Sequence, residues 1–277
     1  MSNVTFETLN PNAPLFSELK SGNYSWWENI KKDPRLYIEI RKDNYINVYF
    51  EGGNVAKLEY RSKDNTIQTY THSKYLHGNG DDYVECSLDK DLETIITNIK
   101  KYYSKTEDEK EKEKEEWSEK YIQSQYIIKY HSNYIDSEFA YKDDSFDIRI
   151  DLIECINGEL RFVELKTIDD SRMLKRNDDN PEVVEQVKAY NKFIHEYEKE
   201  IIEYYDKIWT IKNDLGLIKN DLGLIIPEER PSSLAEKPLL LIFNRWTKST
   251  SRRDEHTSRM EEILRNNDID YKITSKI

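Results

Sequence analysis

The feature that most constrains the fold is the stretch "IRIDLIECINGELRFVELKT", residues 148–167, in which two apolar runs flank Asn157-Gly158. An Asn-Gly pair between two such runs is the strongest short-range signal for a β-hairpin with a two-residue type I′ turn. If those two residues form the loop, the register is fixed, and opposed residues have numbers that sum to 315. Asp151 then faces Glu164, and the two carboxylates form a cross-strand pair.

A lysine completes this charged group. Side chains alternate along a strand, so Lys166 projects from the same face as Glu164 and Asp151. Two carboxylates this close repel each other unless a cation lies between them. Oxygen ligands with room for water suit Mg²⁺ or Mn²⁺ better than Zn²⁺, which prefers nitrogen and sulfur. The hairpin therefore indicates a site for a divalent metal ion, Mg²⁺ (or Mn²⁺).

The alternative is that these charges lie on an ordinary solvated face of a sheet. The neighbouring residues argue against it, because both faces of the hairpin are apolar. The acid-bearing face carries Ile153, Cys155, Leu160 and Phe162, and the other face carries Ile150, Leu152, Val163 and Leu165. Strands that are apolar on both faces belong to a sheet that is covered on both sides. We therefore expect the charged group at the inner end of a central hairpin, beside a helix.

These residues resemble a known signature. Asp151, a spacing of a dozen residues and then Glu164-Leu165-Lys166 resemble the motif of the PD-(D/E)XK nuclease superfamily. The resemblance implies an α/β fold with a restriction-endonuclease-like core, which consists of a helix, a three-stranded antiparallel meander, a helix and a strand. The chain offers these elements in that order: a helical run at about Glu107 to Tyr130, a strand at about Ser137 to Tyr141, the hairpin, a long helix with Asn180 as N-cap and Pro181 in its first turn, and a strand from Leu239 to Asn244.

The helix after the hairpin adds a second motif. In "EQVKAY", Gln186 and Tyr190 are four residues apart and lie on one helical face. The pair resembles the QxxxY element of the RecB-like branch of the superfamily, where it borders the catalytic site and helps to hold DNA. Taken alone, this spacing is typical of any helix face, but here it follows a strand that carries Glu-x-Lys.

The resemblance also implies roles for the charged residues. Asp151, Glu164 and the carbonyl group of Leu165 would hold one or two Mg²⁺ ions, and Lys166 would orient the attacking water or offset the charge of the phosphate. Gln186 and Tyr190 join the catalytic set through the QxxxY resemblance.

RecB-like enzymes often place a further acid on the first helix of the core. On a helical wheel anchored at Trp117, Glu119 lies at the margin of the apolar face and Glu116 lies further out, so we prefer Glu119 as the additional metal ligand. His131 is the alternative metal neighbour. Most other acids of "EDEKEKEKEEWSEK" are expected to solvate an exposed helix face.

The chain has a formal charge of −12, which argues against sequence-independent attraction to DNA. Two short basic segments, "SRMLKR" and "RWTKSTSRR", nevertheless follow core strands. We expect them to contact the nucleic acid, and the alternative is that they are solubilising surface. The residues concerned are Arg172, Lys175, Arg176, Arg245, Lys248, Arg252 and Arg253, and Tyr190 is expected to join them.

The N-terminal part has a different pattern of predicted secondary structure. Residues 36–60 predict a three-stranded antiparallel meander with turns at Asp43-Asn44 and Gly52-Gly53, preceded by a helix that contains "SWWENIKK". We expect residues 1–80 to form an N-terminal helix plus antiparallel β module, and residues 81–277 to form the PD-(D/E)XK nuclease-like domain.

The first strand of this module has one apolar face and one polar, aromatic face, the latter with Tyr37, Glu39 and Arg41. Tyrosines between basic residues can stack on bases, although they more often line the edge of a sheet. The accessory module is therefore expected to position substrate, or to bind a partner protein or a second copy of the chain.

A heptapeptide, "IKNDLGL", occurs twice in tandem at residues 211–217 and 218–224, and predicts a tolerated insertion between the long helix and the last core strand.

The two cysteines, Cys86 and Cys155, are too few for the four thiolates of an iron–sulfur cluster, and no disulfide is expected. The chain shows neither a signal peptide nor an apolar run near the ~20 residues that span a bilayer, so a cytoplasmic protein is expected.

Other chemistries lack their motifs, since there is no GxSxG elbow, GxxxxGK loop, HExxH or paired CxxC. We expect a Mg²⁺-dependent nuclease that hydrolyses phosphodiester bonds in DNA. Small nucleases of this class with an added module resemble restriction or anti-phage defence effectors. Two alternatives stay open. One is a non-catalytic protein with a vestigial nuclease core that binds nucleic acid or a partner, and the other is an RNA-cleaving toxin.

Overall fold

The computed structural model describes residues 4–22, 24–103, 117–174, 181–220, 223–224 and 227–277. It is a mixed α/β structure with two large sheets and one short two-stranded pair. The helices are α1 (Val4–Glu7), α2 (Pro14–Ser21), α3 (Ser25–Lys32), α4 (Ser73–Leu76), α5 (Leu88–Tyr103), α6 (Glu119–Lys129), α7 (Glu182–Asp214) and α8 (Ser251–Asn266). The strands are β1 (Tyr37–Arg41), β2 (Tyr45–Phe50), β3 (Gly53–Arg61), β4 (Thr66–His72), β5 (Tyr83–Glu85), β6 (Tyr134–Lys142), β7 (Asp147–Ile156), β8 (Glu159–Thr167), β9 (Lys219–Asn220), β10 (Gly223–Leu224), β11 (Ser233–Leu234), β12 (Leu239–Phe243) and β13 (Asp270–Thr274).

The first sheet contains β1 to β5 in sequential order, and all neighbours are antiparallel. Its first three strands confirm the predicted meander, and α3 confirms the helix predicted at "SWWENIKK". The sheet is larger than predicted, because β4 and β5 continue it. The turn between β2 and β3 is Glu51-Gly52 and not Gly52-Gly53 as predicted. Gly53 already pairs with Phe50 in the ladder, and the two turn residues have the positive φ angles (46° and 81°) that a tight hairpin turn needs.

The second sheet carries the hairpin at its centre. Its strand order is β13-β12-β8-β7-β6, and β11 makes a short parallel pairing with β8. Strands β6, β7 and β8 form an antiparallel meander, and β12 lies parallel to β8. The chain passes from β8 to β12 through α7, and from β12 to the parallel strand β13 through α8. Helix α6, the meander, α7 and β12 therefore follow one another in the order expected from the sequence.

Two of the predicted helix starts involve residues outside the described ranges. The first part of the run predicted as the first core helix, residues 104–116, lies outside the described residues. Asn180, the predicted N-cap of α7, also lies outside them. Pro181 immediately precedes α7 instead of occupying its first turn, because its backbone is extended (φ −65°, ψ 155°) and the helix begins at Glu182.

The turn of the central hairpin is as predicted. Asn157 (φ 52°) and Gly158 (φ 75°) both have the positive φ that a type I′ turn requires. Five consecutive ladder pairs, starting with Ile156 and Glu159, have numbers that sum to 315. The register deduced from the two-residue turn is therefore confirmed.

The inner end of the hairpin differs in detail. The expected pair of Asp151 and Glu164 lies one step beyond the last ladder pair of β7 with β8. Glu138, on the neighbouring strand β6, has φ 53°, a left-handed conformation that residues in a strand rarely adopt. Ile150 packs in the same core cluster as Ile153, so the alternation of β7 shifts by one residue here, and the prediction that Ile150 lies on the opposite face is wrong.

Both faces of the hairpin are covered, as predicted. Leu152, Val163 and Leu165 pack with residues of α6 in one cluster. Ile153 and Phe162 pack with residues of α7 in another. The inner end of the hairpin is thereby placed between two helices that cover opposite faces of the sheet.

The polar face of β1 is buried, so its side chains are not available to stack on bases, which was the less favoured of the two alternatives. Tyr37 is 9% exposed. Glu39 forms an ion pair with Lys212 of α7 at 3.1 Å, and Arg41 forms one with Asp136 of β6 at 2.8 Å. These partners are distant in sequence. The alternation along β1 is typical of a solvated polar face, but Glu39 and Arg41 instead form ion pairs that link β1 to α7 and β6.

The first sheet extends beyond residue 80, since β5 pairs with β4. One core cluster contains residues of both sheets, for example Ile40 and Phe162. The division into residues 1–80 and 81–277 stays a prediction.

The tandem heptapeptide adopts two structures. In the first copy, Ile211 to Asp214 form the last turn of α7, and Gly216 follows with φ 73°. In the second copy, Lys219-Asn220 pairs with Gly223-Leu224 as β9 and β10, and residues 221–222 lie outside the described residues. The repeat is therefore not one continuous helix.

Both cysteines, Cys86 and Cys155, are free and buried. Among the helices of the described ranges, none combines the length and the apolar character that are needed to cross a membrane.

Candidate active site

Lys166 lies at the centre of the charged group. Its Nζ donates one hydrogen bond to Glu164 Oε1 and another to the carbonyl oxygen of Leu165 at 2.9 Å. Asp151 Oδ2 and Glu119 Oε1 each lie 3.8 Å from the same nitrogen. The lysine side chain is 1% exposed. Oxygen atoms of four residues from α6, β7 and β8 thus converge on one buried ammonium group.

Asp151 is held in place by two neighbouring elements. Its Oδ2 accepts a hydrogen bond from the backbone N–H of Leu165 in β8 at 2.8 Å. The side-chain amide of Gln123 in α6 donates to the carbonyl oxygen of Asp151 at 2.5 Å. Because the ladder ends before Asp151, its carboxylate takes over the pairing of a backbone N–H on the facing strand.

Glu164 is supported from the other side of the sheet by α7. Gln186 Nε2 donates to Glu164 Oε1 at 2.7 Å, and the hydroxyl of Tyr190 lies 3.0 Å from Glu164 Oε2. Gln186 Nε2 also donates to the Tyr190 hydroxyl at 2.5 Å. Both residues of the predicted QxxxY pair therefore contact the same carboxylate.

The site holds more negative charge than its lysine balances. Burial, followed by the negative charge of Asp151, raises the pKa of Glu164 to about 7 against the opposing effect of Lys166. Burial also raises the pKa of Asp151 and that of Glu119, and Lys166 opposes both shifts. Three carboxylates around one ammonium are therefore favourably placed to accept a further cation.

Glu119, the preferred acid of the first helix, is the first residue of α6 and reaches the site. Arg172 lies beside it, with Nη2 3.7 Å from Glu119 Oε2 and 2.6 Å from Asp170 Oδ2. The other candidate, His131, lies beyond the far end of α6, where it lines a separate cavity with Glu39. Glu116 lies outside the described residues.

The predicted nucleic-acid contacts are only partly available. Arg172 donates to Asp170, and Arg245 donates two hydrogen bonds of 2.8 Å to Asp169 and one of 2.9 Å to the carbonyl oxygen of Trp117. These two arginines are therefore engaged by acids at the rim of the site.

The remaining basic residues lie further along the chain. Arg252 is exposed at the start of α8, and the Arg253 guanidinium lies over the ring of Trp246 at 5.2 Å. Lys175 and Arg176 lie outside the described residues.

Three residues near the site were not predicted. Gln123 stands four residues after Glu119, so helical spacing alone places both on one face of α6 and was a usable signal. Asp170 follows the Glu-x-Lys strand closely and pairs with an arginine two residues on. The charge of Glu138 raises the pKa of Asp151, and Glu138 has a left-handed backbone conformation that no sequence pattern indicates.

Among the described residues, no group of three or more His, Cys, Asp or Glu side chains could hold a metal ion as it stands, and the Lys166 ammonium lies between the carboxylates. No protein-family model, no curated protein and no solved structure matches the chain. The function therefore has to be argued from the geometry of the side chains themselves.

Proposed function

We propose that the chain is a metal-dependent nuclease with a PD-(D/E)XK, restriction-endonuclease-like core. The succession of α6, the β6–β8 meander, α7 and β12 supports this proposal, because it is the succession of that core. The positions of the motifs support it as well. Asp151 lies on β7, Glu164 and Lys166 lie on β8, and Gln186 and Tyr190 lie on α7 against Glu164.

One observation carries the proposal. The four residues that the resemblance names as metal ligands, Asp151, Glu164, Leu165 and Glu119, all direct an oxygen at the same buried cationic group. The donors are oxygens only, which suits Mg²⁺ or Mn²⁺. Three carboxylates against one ammonium leave two negative charges, which one divalent ion would neutralise. The donor types therefore suit the implied metal, and in this structure the same carboxylates surround the Lys166 ammonium.

The residues of the chain have distinct roles in this proposal. A bound divalent ion would polarise the scissile phosphate and lower the pKa of a coordinated water. Lys166 supplies a fixed positive charge beside the reacting phosphate and a donor that orients the water. Gln186 and Tyr190 keep the carboxylate of Glu164 in one orientation. The Leu165 N–H orients the carboxylate of Asp151, and Gln123 holds the backbone of Asp151 through its carbonyl oxygen.

DNA is the substrate we propose, and restriction or anti-phage defence is the role, which rests on fold-level analogy. With a charge of −12, the chain must rely on local contacts to grip a phosphate backbone. Of the predicted contacts, Arg252 is an exposed arginine at the start of α8, where a phosphate backbone could reach it.

The test compares Lys166→Met with Lys142→Met. Lys166 is 1% exposed, whereas Lys142 is 75% exposed on β6 of the same sheet, where it pairs with Asp147 at 2.6 Å. Methionine is unbranched like lysine and only one atom shorter, and it removes the charge. Initial rates are measured on circular and linear duplex DNA, single-stranded DNA and RNA, with Mg²⁺, with Mn²⁺ and with EDTA.

We expect the parent protein and Lys142→Met to cut with metal, and Lys166→Met to cut about 100- to 1,000-fold more slowly, because fixed charge at the phosphate is lost. Far-ultraviolet circular dichroism checks that each variant is folded. Equal rates for a folded Lys166→Met variant and the parent refute the assignment. RNA cutting without DNA cutting would assign the same chemistry to an RNA-cleaving toxin.

A non-catalytic protein with a vestigial core is the second candidate. It is favoured by one observation, namely that the ammonium of Lys166 already lies between the carboxylates. Calorimetric titration with Mn²⁺ separates the two. A working site binds Mn²⁺ and loses affinity in Asp151→Asn but not in Asp147→Asn, an exposed control on the same strand. A vestigial site gives no difference between the parent and either variant.

A further inference from the structure

The polar face of the first sheet is buried at β1 but open further along. Strands β2 to β5 line a cavity of about 410 Å³ there. Its wall combines tyrosine rings with amide groups and includes Tyr45, Asn47, Asn54, Lys57 and Tyr83. We call this cavity the tyrosine pocket.

Two hydrogen-bond acceptors in the tyrosine pocket are unused. Asn47 Oδ1 and Asn54 Oδ1 are buried atoms without a hydrogen-bond partner among the described residues. The amide nitrogen of Asn47 donates to the hydroxyl of Tyr49 at 3.0 Å, which fixes the orientation of a side chain that is 9% exposed. Buried polar atoms are nearly always paired, so two orphaned oxygens in one cavity indicate a ligand that carries N–H donors.

The pocket also offers an aromatic surface. Tyr83 on the edge strand β5 is 52% exposed, which is unusual for a side chain of this size. The Lys57 ammonium lies 4.5 Å from the centre of the Tyr45 ring and so covers one aromatic face, which leaves the exposed ring of Tyr83 as the stacking surface. Flat rings stack on exposed tyrosines regardless of their sequence.

The charges of the pocket argue against a phosphate as its ligand. Lys57 forms an ion pair with Glu59 at 2.5 Å, so the pocket brings no surplus positive charge. A flat ring with an exocyclic amino group, which offers two N–H donors, fits both the acceptors and the tyrosine. Adenine, cytosine and guanine carry an amino group, whereas thymine does not.

The pocket lies beside the candidate active site. Tyr45 and Asn47 also line an adjoining cavity of about 250 Å³, which Glu138 borders. Glu138 is the carboxylate whose charge acts on Asp151, and it also acts on Tyr83. Glu138 therefore lies within electrostatic range of both Asp151 and the tyrosine pocket.

We propose that the tyrosine pocket binds an unpaired, amino-bearing nucleobase of the nucleic acid that is cut at the neighbouring site. This inference rests on the proposed nuclease function and narrows its substrate. A base in the pocket is not available for Watson–Crick pairing, so the substrate has a single-stranded or extruded nucleotide close to the scissile phosphate.

The test measures stacking directly and needs no cleavage. The probe is an oligothymidylate with one 2-aminopurine, whose fluorescence is quenched when it stacks, titrated with protein in EDTA. The variants are Tyr83→Ala, Tyr83→Trp and, as matched control, Tyr102→Ala, which removes a tyrosine that is 62% exposed on α5 outside the pocket. Asn54→Leu removes one acceptor, and unlabelled oligonucleotides with a single adenine, cytosine or thymine serve as competitors.

We expect the parent and Tyr102→Ala to quench the probe, Tyr83→Ala to bind it about 5- to 100-fold more weakly, and Tyr83→Trp to restore binding, in keeping with the energy of base–aromatic stacking. The parent should prefer adenine or cytosine to thymine as competitor, and Asn54→Leu should lose that preference. Equal binding by Tyr83→Ala and the parent, or no quenching by the parent at all, refutes the proposal that the tyrosine pocket binds a nucleobase. Either result leaves the Lys166 cleavage test standing, and a failure of that test leaves the stacking result standing.

Discussion

The buried ion pair between Glu39 and Lys212 gives the sharpest test of how the two sheets are joined. Lys212 Nζ lies 3.1 Å from Glu39 Oε2 and donates to the carbonyl oxygen of Ile135 at 2.7 Å. Glu39 Oε1 also accepts from the Ser137 hydroxyl at 2.9 Å. Both charged side chains are less than 5% exposed. The variant Lys212→Met leaves the carboxylate of Glu39 buried without this ion pair.

Breaking a buried pair by removing one partner costs about 3–5 kcal/mol, because the remaining charge is uncompensated. The carbonyl of Ile135 also loses a donor, and Glu39 retains the bond from Ser137, so we expect Lys212→Met to lower the free energy of unfolding by about 4 kcal/mol. The double variant Glu39→Leu/Lys212→Met removes both charges and should be at least ~2 kcal/mol more stable than Lys212→Met alone.

Urea unfolding measures these differences. With an m-value near ~3 kcal/mol/M, the midpoint of Lys212→Met should fall by about 1.3 M. Lys20→Met is the control, because Lys20 of α2 pairs at 2.9 Å with Asp214, which lies on α7 like Lys212. Both side chains of this pair are about half exposed, so its loss should lower the free energy of unfolding by less than ~1 kcal/mol. A loss of less than ~1 kcal/mol in Lys212→Met, or a double variant as unstable as the single one, refutes the reasoning.

Three further predictions concern the site, a turn and a surface acid. Tyr190→Phe removes the hydroxyl beside Glu164 and should slow cleavage about 10- to 100-fold, measured as initial rate at saturating metal, and an unchanged rate contradicts a positioning role. Gly216→Ala places a Cβ at φ 73° where the nearest side-chain atom, Lys31 Nζ, is 3.9 Å away, so we expect a purely conformational loss of about 1 kcal/mol in urea unfolding, and no loss would show that the turn is not strained. Hydrogen bonds, first from the Tyr141 hydroxyl, lower the pKa of Asp143 to about 2, so its contribution to stability is present above the unfolded pKa near 4 and is lost as the pH falls through about 2. The stability difference between the parent and Asp143→Ala should therefore shrink as the pH is lowered from 4 to 2, and a difference independent of pH contradicts the assignment.

The central hairpin was predictable because its information is local. Asn157-Gly158 selects the turn, the turn fixes the register, and the register brings Asp151 to the segment Glu164-Leu165-Lys166. The helical spacing of Gln186 and Tyr190 likewise needed only the sequence of one helix.

What could not be predicted depends on contacts between distant segments or on unusual backbone. The face of β1 with Glu39 and Arg41 has the composition of a solvated face, and only the arrival of α7 and β6 turns it into a buried one. The left-handed φ of Glu138 and the resulting shift of faces at Asp151 have no counterpart in hydrophobic alternation. The tandem heptapeptide shows the same limit, because identical residues end a helix in one copy and pair as strands in the next.

Helix α7 contacts the carboxylate cluster near one end and the first sheet near the other. Gln186 and Lys212 are 26 residues apart on it, which corresponds to a rod of roughly 40 Å at 1.5 Å per residue. Tyr197 is the residue within this rod whose backbone leaves helical geometry (φ −119°, ψ 23°). A tilt of the first sheet would therefore shift α7 and, through it, Gln186 and Tyr190, which orient Glu164. Bending of α7 at Tyr197 would reduce the shift at these two residues.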